Sequence, residues 1–493
     1  MKNFYINTLT NPKGLKKDQY DVIIIGAGIG GLVCGCYLAK AGLKVLIVEK
    51  NDKPGGYCQS FERDGYRFDI ITHGLTGFRR TSPIKNILDK LNLFRKVNIA
   101  RADPADVIIY GDRKIHFWND TKRTIDEFKE IFPHEAKGIE EFFKFLSITN
   151  FTSLYYNYRN DTFDKILNNY FKDKALKGIF TSFLGVMGLP TFRVSAISAT
   201  ILYREVIFDG GYYPIGGVGK MSYALSEIFK EYGGNCLISV RVNRLKIKNK
   251  KVEGVILDKN EFVSSKYVIS ACDGRQTFFD LIGKNNLPKR FINNLEKLLP
   301  STTVFIVFLG VNRNDQKNIK EGRAIWYTSD YTKLDEIYFN IYKGHLNLKD
   351  DNILCIFNLF GDTSLISKDK DAITLIISVP YKTPQYWLRN KEQIALNLIN
   401  RATNVIPYFL KNITVKKIIT PLSLYEWTLN YRGAVRGWAA IPEQISRDKL
   451  YIETPINNLF LTGHWLTFPG GGGIPIAIYL GYNTAKWILK FNQ

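Results

Sequence analysis

The fold class can be predicted from residues 21–50, DVIIIGAGIGGLVCGCYLAKAGLKVLIVEK. The apolar residues of this stretch predict a buried strand over residues 21–25, a glycine-rich turn at which a helix begins, and a second strand that ends at Glu49. Strand, turn, helix and strand in this order form the first unit of a parallel nucleotide-binding sheet. The stretch therefore predicts an α/β fold that contains a Rossmann-like domain.

The glycines of the predicted turn, Gly26, Gly28 and Gly31, have the spacing G-x-G-x-x-G. Gly26 permits the turn, Gly28 lets a pyrophosphate approach the backbone, and Gly31 lets the helix pack closely on the strand. The helix N-terminus then stabilises the pyrophosphate, because unpaired N–H groups and the helix dipole favour negative charge. This motif predicts a dinucleotide site, and by itself it does not separate FAD from NAD.

Glu49 follows the turn by a little over twenty residues, a position from which its carboxylate can accept hydrogen bonds from an adenosine ribose. The continuation EKNDKPGGYCQSFERDGYRFD, residues 49–69, adds the pair Gly55 and Gly56 directly after it. Here the sequence resembles the flavin-dependent amine oxidase superfamily, in which such a pair follows the ribose-binding Glu and approaches the FAD. The resemblance implies FAD as the cofactor.

The length and the charge of the chain limit its class. Because 493 residues exceed what one hydrophobic core usually supports, the length predicts two domains. The 68 Lys and Arg against 46 Asp and Glu give a net charge of +22, which indicates either contact with an anionic membrane face or a genome-wide bias toward Lys, Ile and Asn. The lysines are scattered and no nucleic-acid-binding motif accompanies them, so we expect no nucleic-acid partner.

Cysteine spacing and apolar runs indicate the compartment. The 6 cysteines include no C-x-x-C pair, and the N-terminal residues lack the apolar core of a secretion signal. The sequence contains no run of about 18 apolar residues. These features predict a reduced, cytoplasmic chain that does not span a membrane but could lie on its inner face.

A second motif block is GGYYPIGGVGKMSYALSEIFKEYGGNCLISVRVNRL, residues 210–245. Its pattern predicts a glycine turn, a helix over residues 221–232 and a strand over residues 236–242. The block resembles the returning segment of the phytoene desaturase and carotenoid isomerase family. The resemblance implies that the backbone of Val240 or Val242 contacts the adenine.

The block NLFLTGHWLTFPGGGGIPIAIYLG, residues 458–481, resembles the C-terminal flavin signature of the same family. The resemblance implies that Gly463 approaches the ribityl and pyrophosphate end, and that the glycines 470–473 begin a helix whose N-terminus points at the pyrimidine side of the isoalloxazine. Such a helix end stabilises the negative charge of a reduced flavin. His464 stands where many amine oxidases have an acidic residue, a departure that argues against an amine oxidase.

The residues expected at the site follow from these blocks. The implied cofactor-binding residues are Gly26, Gly28, Gly30, Gly31, Glu49, Lys50, Gly55, Gly56, Val240, Val242, Gly463, Gly471, Gly472, Gly473 and Ile474. The histidines in flavin-proximal blocks, His73 and His464, are candidates for tuning the flavin or shuttling a proton, and each could equally be a packed hydrogen-bonding residue. We expect no metal site, because the 5 histidines have no ligand spacing.

The predicted organisation interrupts the nucleotide domain twice. Residues 20–100, 210–290 and 420–493 are assigned to a discontinuous FAD-binding domain of the glutathione-reductase or amine-oxidase type. Residues 100–209 and 290–420 are assigned to an inserted α+β substrate domain. Within the insert, residues 169–203 are apolar with basic edges at Lys172, Lys174, Lys177 and Arg193, which predicts either helices lying on a membrane or ordinary core helices.

The resemblance implies an FAD-dependent oxidoreductase that desaturates or isomerises a polyprenyl or carotenoid-like lipid. Its hydrophobic polyene or prenyl substrate would occupy an aromatic-lined tunnel beside the flavin. A first alternative is a retinol saturase-like enzyme that reduces a conjugated double bond, and a flavin amine oxidase is a further one. The Rab-escort proteins share the fold and bind prenyl groups without catalysis, but they have lost the flavin-contacting glycines that this sequence keeps.

Overall fold

The computed structural model describes residues 20–71, 74–312, 324–347, 354–358, 370–406, 412–446, 450–466 and 472–491. The strands are β1 (Tyr20–Ile25), β2 (Val45–Val48), β3 (Ser60–Arg63), β4 (Tyr66–Asp69), β5 (Ile99–Arg101), β6 (Asp106–Tyr110), β7 (Arg113–Phe117), β8 (Tyr212–Pro214), β9 (Asn235–Leu237), β10 (Val242–Lys248), β11 (Lys251–Leu257), β12 (Phe262–Ser270), β13 (Thr303–Asn312), β14 (Ala324–Tyr327), β15 (Leu354–Asn358), β16 (Lys370–Val379), β17 (Ile413–Ile419) and β18 (Leu459–Leu461).

The α-helices cover the sheets and form a separate helical layer. They are α1 (Ile29–Lys40), α2 (Pro83–Asp89), α3 (Thr121–Ile131), α4 (Ala136–Ile148), α5 (Phe151–Tyr158), α6 (Phe163–Tyr170), α7 (Lys174–Ser182), α8 (Ala196–Asp209), α9 (Gly219–Glu231), α10 (Lys289–Lys297), α11 (Leu334–Tyr342), α12 (Pro384–Ala402), α13 (Pro421–Thr428), α14 (Pro442–Ser446) and α15 (Ile474–Phe491).

The first large sheet has a parallel centre in the order β9-β2-β1-β12-β18. The hairpin of β10 and β11 extends it, because β11 pairs antiparallel with the first residues of β12. The central strands are apolar runs buried on both faces, as β2 shows with all 4 of its residues buried. Helices α1, α9 and α15 supply apolar side chains to the core beside this sheet.

The second large sheet has the order β17-β13-β16-β15-β14-β6-β7 and is antiparallel except where β14 pairs with β6. Its centre is the long pair β13 and β16, whose residues are almost all buried. One layer of helices, including α4, α6, α7 and α8, packs around an aromatic-rich core against this sheet. The two sheets therefore use different architecture, a parallel nucleotide-type sheet and an antiparallel sheet with helices.

The strand expected over residues 236–242 is wrong in its extent. The structure has the short strand β9, which ends at Leu237, and β10 begins at Val242. Ser239 lies between them with a positive φ of 56°, a conformation that breaks a strand. The chain thereby leaves the edge of β2 and turns into the β10–β11 hairpin, which apolar alternation alone did not reveal.

The apolar segment of residues 169–203 folds as core helices in the described structure. Leu176, Ile179 and Phe180 of α7 are at most 1% exposed, and they belong to the aromatic-rich core. Arg193 contacts Tyr342 through a hydrogen bond of 3.2 Å. Within the described ranges, no helix is both long and apolar enough to cross a membrane.

Candidate functional site

The turn between β1 and α1 has the geometry that its glycines require. Gly26 has a φ of 98°, which L side chains rarely adopt. A Cβ atom added at Gly31 would overlap the carbonyl oxygen of Gly26, so this helix position must stay bare. A Cβ atom added at Gly28 would have no protein atom within 4 Å. The open space at Gly28 therefore belongs to the cavity that this residue lines.

A second glycine pair lies across from this turn. The N–H of Gly55 donates a hydrogen bond of 2.8 Å to the carbonyl of Ala27. Gly28 and Gly55 form an isolated parallel bridge, so two glycine backbones face each other at the cavity wall. Gly55 has a φ of 126°, and a Cβ there would lie 2.6 Å from the carbonyl oxygen of Cys58. Only glycine fits this position.

Glu49 is buried directly after β2. Its Oε2 atom accepts a hydrogen bond of 2.8 Å from the N–H of Ala27, and its Oε1 atom accepts one of 2.9 Å from the N–H of Asn51. Burial raises the pKa of this carboxyl group, and the two backbone N–H groups partly oppose that shift. The N–H of Val240 donates to the backbone carbonyl of Glu49 at 3.0 Å. Glu49 and Val240 thus meet at one end of the cavity.

Helix α15 brings a distant part of the chain to the same turn. A Cβ atom added at Gly30 would lie 2.8 Å from Cα of Gly463. One added at Gly481 would lie 2.5 Å from the carbonyl oxygen of Gly30. Because glycines lie at these crossing points, α1, α15 and the residues after β18 pack backbone to backbone. Gly463 and Gly473 then line the cavity together with Gly28.

Arg436 and His464 stand beside the start of α15. The Nη2 atom of Arg436 donates a hydrogen bond of 2.7 Å to the carbonyl of Gly472, while its buried Nε atom has no hydrogen-bond partner among the described residues. Burial lowers the pKa of Arg436 to about 10. Burial, and after it the charge of Arg436, lowers the pKa of His464 to about 4. At neutral pH this corner therefore holds one cation and one neutral imidazole.

One cavity of about 530 Å³ joins the glycine-lined cleft to an apolar chamber. The second sheet supplies one wall of the chamber and the helical layer supplies the opposite wall. The apolar lining residues of this chamber are Phe183, Val186, Ile201, Leu202, Val206, Val304, Trp326 and Ile376. The cavity therefore offers a polar backbone cleft at one end and an apolar space at the other.

The chamber contains polar groups that our sequence analysis missed. Asp106 accepts a hydrogen bond of 2.9 Å from the indole Nε1 of Trp326, and Ser378 donates one of 2.5 Å to the carbonyl of Gly185. Arg79 and Glu205 also line the wall. These residues lie far apart in the sequence and belong to no short motif. The acidic residue in the mainly apolar helix α8 was the available signal for Glu205.

The structure brings together most of the residues that the sequence predicted for the cofactor. The predicted residues that line the one cavity are Gly26, Gly28, Gly30, Gly31, Glu49, Lys50, Gly55, Gly56, Val240, Val242, Gly463, Gly472, Gly473 and Ile474, and the candidate His464 lines it as well. Gly471 and His73 lie outside the described residues. The individual roles of all these residues stay predictions.

The residues of the cleft fit a dinucleotide. The space beside Gly28 is open, and the backbones of Gly28 and Gly55 face each other. The carboxylate of Glu49 lies at the end of the second strand of the Rossmann-like unit. The far end of the cleft has the N-terminus of the long helix α15 and the guanidinium of Arg436. This donor set suits a ligand with a pyrophosphate and an electron-rich ring.

The chain is similar to a known domain family and to several known enzymes. Residues 24–91 match the family model of an NAD(P)-binding Rossmann-like domain. The all-trans-retinol 13,14-reductase of Danio rerio is 23% identical, over 92% of this chain and 84% of that protein. The prolycopene isomerase of Arabidopsis thaliana is 24% identical, over 94% and 82%. The lycopene-forming phytoene desaturase of Pantoea ananas is 23% identical, over 95% and 98%.

The predicted resemblance is confirmed. The chain resembles these retinoid and carotenoid enzymes along nearly its whole length. Among solved structures, an oxidoreductase from Methanosarcina mazei has a TM-score of 0.70 at 17% identity. The match covers 95% of this chain and 99% of the oxidoreductase. A putrescine oxidase bound to putrescine has a TM-score of 0.65 at 17% identity, with coverage of 96% and 99%.

These comparisons confirm two predictions. The first is the fold class, an α/β fold with a Rossmann-like domain of the amine-oxidase type of flavin-dependent oxidoreductase. The second is that the chain is an enzyme of the oxidoreductase type.

Proposed function

We propose that the chain is an FAD-dependent oxidoreductase that desaturates or isomerises a polyprenyl or carotenoid-like lipid at its C–C and C=C bonds. The observation that carries the proposal is the single cavity in which the glycine-lined cleft opens into an apolar chamber. A reaction between a dinucleotide and a lipid needs both spaces in contact. When bound, the flavin supplies the acceptor or donor of a hydride at its N5 atom.

In this proposal each residue of the cleft binds a different part of the cofactor. Glu49 accepts hydrogen bonds from the adenosine ribose, and the backbones of Gly28 and Gly55 approach the pyrophosphate. Gly463 lies along the ribityl chain. Gly473 and the N-terminus of α15 stabilise negative charge at the pyrimidine edge, where the guanidinium of Arg436 adds a positive charge.

The chamber would hold the polyene. Its wall is apolar over most of its length, and residues such as Trp326 and Ile201 offer a surface that binds a hydrocarbon chain by burial. The apolar wall also excludes water from the reacting bond. The relatives named for prolycopene isomerase and phytoene desaturase activity support a conjugated lipid as substrate.

The similarity to the all-trans-retinol 13,14-reductase favours a second candidate, reduction of a conjugated double bond. It uses the same cavity and the opposite direction of electron flow. A flavin amine oxidase is supported only by the fold, since the putrescine oxidase is 17% identical.

The test begins with protein purified without added cofactor. The released chromophore is identified by chromatography against FAD, FMN and NAD standards. The loaded enzyme is then mixed anaerobically with phytoene, with prolycopene or with all-trans-retinol, and both flavin absorbance and polyene products are followed. Putrescine serves as the amine control.

Bleaching of oxidised flavin by phytoene indicates desaturation, and a new geometric isomer of prolycopene without net bleaching indicates isomerisation. Reoxidation of dithionite-reduced flavin by retinol indicates the reductase. A protein that cannot be loaded with FAD, or one that reacts with putrescine and with no polyene, overturns the proposal.

A further inference from the structure

Three charged side chains, Arg79, Glu205 and Asp209, form a cluster where α8 ends beside the cavity. Asp209 is 0% exposed. Its Oδ1 atom accepts a hydrogen bond of 2.9 Å from the backbone N–H of Arg79, and its Oδ2 atom lies 3.7 Å from Nε of Arg79. A buried carboxylate therefore holds the backbone of Arg79 by a hydrogen bond and attracts its side chain.

The guanidinium of Arg79 keeps its donors available. Its Nη2 atom lies 3.9 Å from Oε1 of Glu205, so both ionic contacts are longer than a hydrogen bond. No acceptor in the described part of the chain lies within hydrogen-bond distance of this guanidinium. The side chains of Arg79 and Glu205 are 36% and 30% exposed, and both line the cavity. A ligand in the cavity can thus reach a cationic donor and a carboxyl acceptor together.

The surroundings of Glu205 determine which ligand fits. On the same face of α8, Ile201, Leu202 and Val206 line the cavity, so this polar pair interrupts an apolar wall. The other nearby cations donate hydrogen bonds to backbone carbonyls. Arg101 donates to the carbonyl of Gly210 at 3.0 Å, and Arg204 donates to the carbonyl of Thr149. At the cavity surface the cluster therefore presents one cation beside one carboxyl group.

We propose that Arg79 and Glu205 bind a hydroxyl group at the end of the polyene, so that the enzyme prefers a hydroxylated polyene to a plain hydrocarbon of the same skeleton. A hydroxyl oxygen accepts a hydrogen bond from the guanidinium, and its proton is donated to Glu205. A carboxylate ligand would lie beside the carboxyl group of Glu205, and like charges repel. A hydrocarbon end would remove water from two charged groups and give them no partner. This inference rests on the proposed function.

The test compares three ligands of one carbon skeleton, all-trans-retinol, deoxyretinol and retinoic acid, titrated into the flavin-loaded enzyme. Binding is followed by energy transfer from protein tryptophans to the polyene. Because a hydrogen bond to a charged group is among the stronger ones, retinol should bind about tenfold more tightly than deoxyretinol, and retinoic acid should bind more weakly than retinol.

Two variants locate the effect at the cluster. Glu205→Gln should reduce the preference for retinol over deoxyretinol and at the same time improve retinoic acid binding, a gain that misfolding cannot imitate. Arg79→Lys keeps the charge and loses the planar fork, and it should also reduce the preference for retinol. The control is Glu231→Gln, the same chemical change at an exposed residue of α9 with a side chain 58% exposed, which should leave all three affinities unchanged.

The outcomes separate this inference from the function on which it rests. Equal binding of retinol and deoxyretinol overturns the hydroxyl site and leaves a polyene enzyme. Unchanged preferences in both variants also overturn it, because the selectivity would then arise elsewhere. Failure of all three ligands to bind the flavin-loaded enzyme overturns the inference alone, because the proposed function is tested separately with phytoene and prolycopene.

Discussion

On one side of the cavity the wall is backbone, where Gly28, Gly55, Gly463 and Gly473 expose peptide groups. On the other side it is built from side chains such as Trp326 and Ile201. The backbone wall requires glycine, because a Cβ atom added at these positions either collides with the protein or enters the cavity. The second wall is set by shape and apolarity, which many side chains can supply. The two walls should therefore differ in their tolerance of a change of one methyl group.

The largest expected effect is at Gly28. The substitution Gly28→Ala adds a methyl group that meets no protein atom within 4 Å, at a φ of −64° that alanine adopts readily. Folding should be unaffected, while the methyl group enters the space of the pyrophosphate and weakens FAD binding about tenfold to hundredfold. Titration of the flavin-free protein with FAD, alongside thermal unfolding, measures both quantities. Unchanged FAD affinity would contradict the assignment of the space beside Gly28 to the pyrophosphate.

The matched change at Gly31 should have the opposite profile. The methyl group of Gly31→Ala overlaps the carbonyl oxygen of Gly26, which is backbone and cannot move aside. We expect the free energy of unfolding to fall by about 2 kcal/mol, since overpacking outweighs the gain in helix propensity. Urea denaturation of the flavin-free protein measures the loss. A variant as stable as the parent would show that the close packing of α1 on its turn is dispensable.

His464, in the backbone-lined part of the cavity, should make the stability of the protein depend on pH. Because the pKa of His464 is lowered to about 4 from an ordinary value near 6.5, the folded chain binds fewer protons than the unfolded chain between these values. Stability from this residue is present above pH ~6.5 and declines as the pH falls toward ~4. His464→Gln should abolish about 1–2 kcal/mol of this loss of stability at low pH, a range kept below that of the full pKa shift because His464 is only partly buried. Parallel pH-dependent slopes for the two proteins would show that His464 is not held neutral.

The smallest effect is expected in the apolar chamber. Ile201→Val removes one methyl group from a wall that other side chains share, so polyene binding should weaken by only about 1 kcal/mol with no change in FAD affinity. Titration with polyene and then with FAD distinguishes the two ligands. A loss of FAD binding equal to the loss of polyene binding would mean that the two walls do not act separately.

Residues 20–49 could be predicted closely because their signals are local. A buried strand, the spacing of Gly26, Gly28 and Gly31, and the position of Glu49 each have a backbone reason within one short segment. The predicted strand over residues 21–25 corresponds to β1, and the predicted helix over residues 221–232 corresponds to α9. The role of the C-terminal glycines was inferred from the family resemblance and stays a prediction, and Gly470 and Gly471 lie outside the described residues.

The chamber could not be predicted in the same way. Asp106 and Trp326 meet because β6 pairs with β14, and Glu205 of α8 lines the same cavity, but no pattern along the chain records these long-range relationships. The turn at Ser239 escaped prediction because a residue with a positive φ has no reliable sequence signal unless it is Gly or Asn. The domain boundaries stay a prediction.

The pairing of β12 with both β1 and β18 has a consequence for how the protein is made. During synthesis, β1 and α1 emerge from the ribosome long before β18 and α15, whose glycines close around Gly30. Until those late residues arrive, the early segment has exposed apolar surface and an incomplete cleft. The contacts that complete the cleft are the most distant in sequence, and such contacts form slowly. The cleft can therefore be completed only after the whole parallel sheet has been translated.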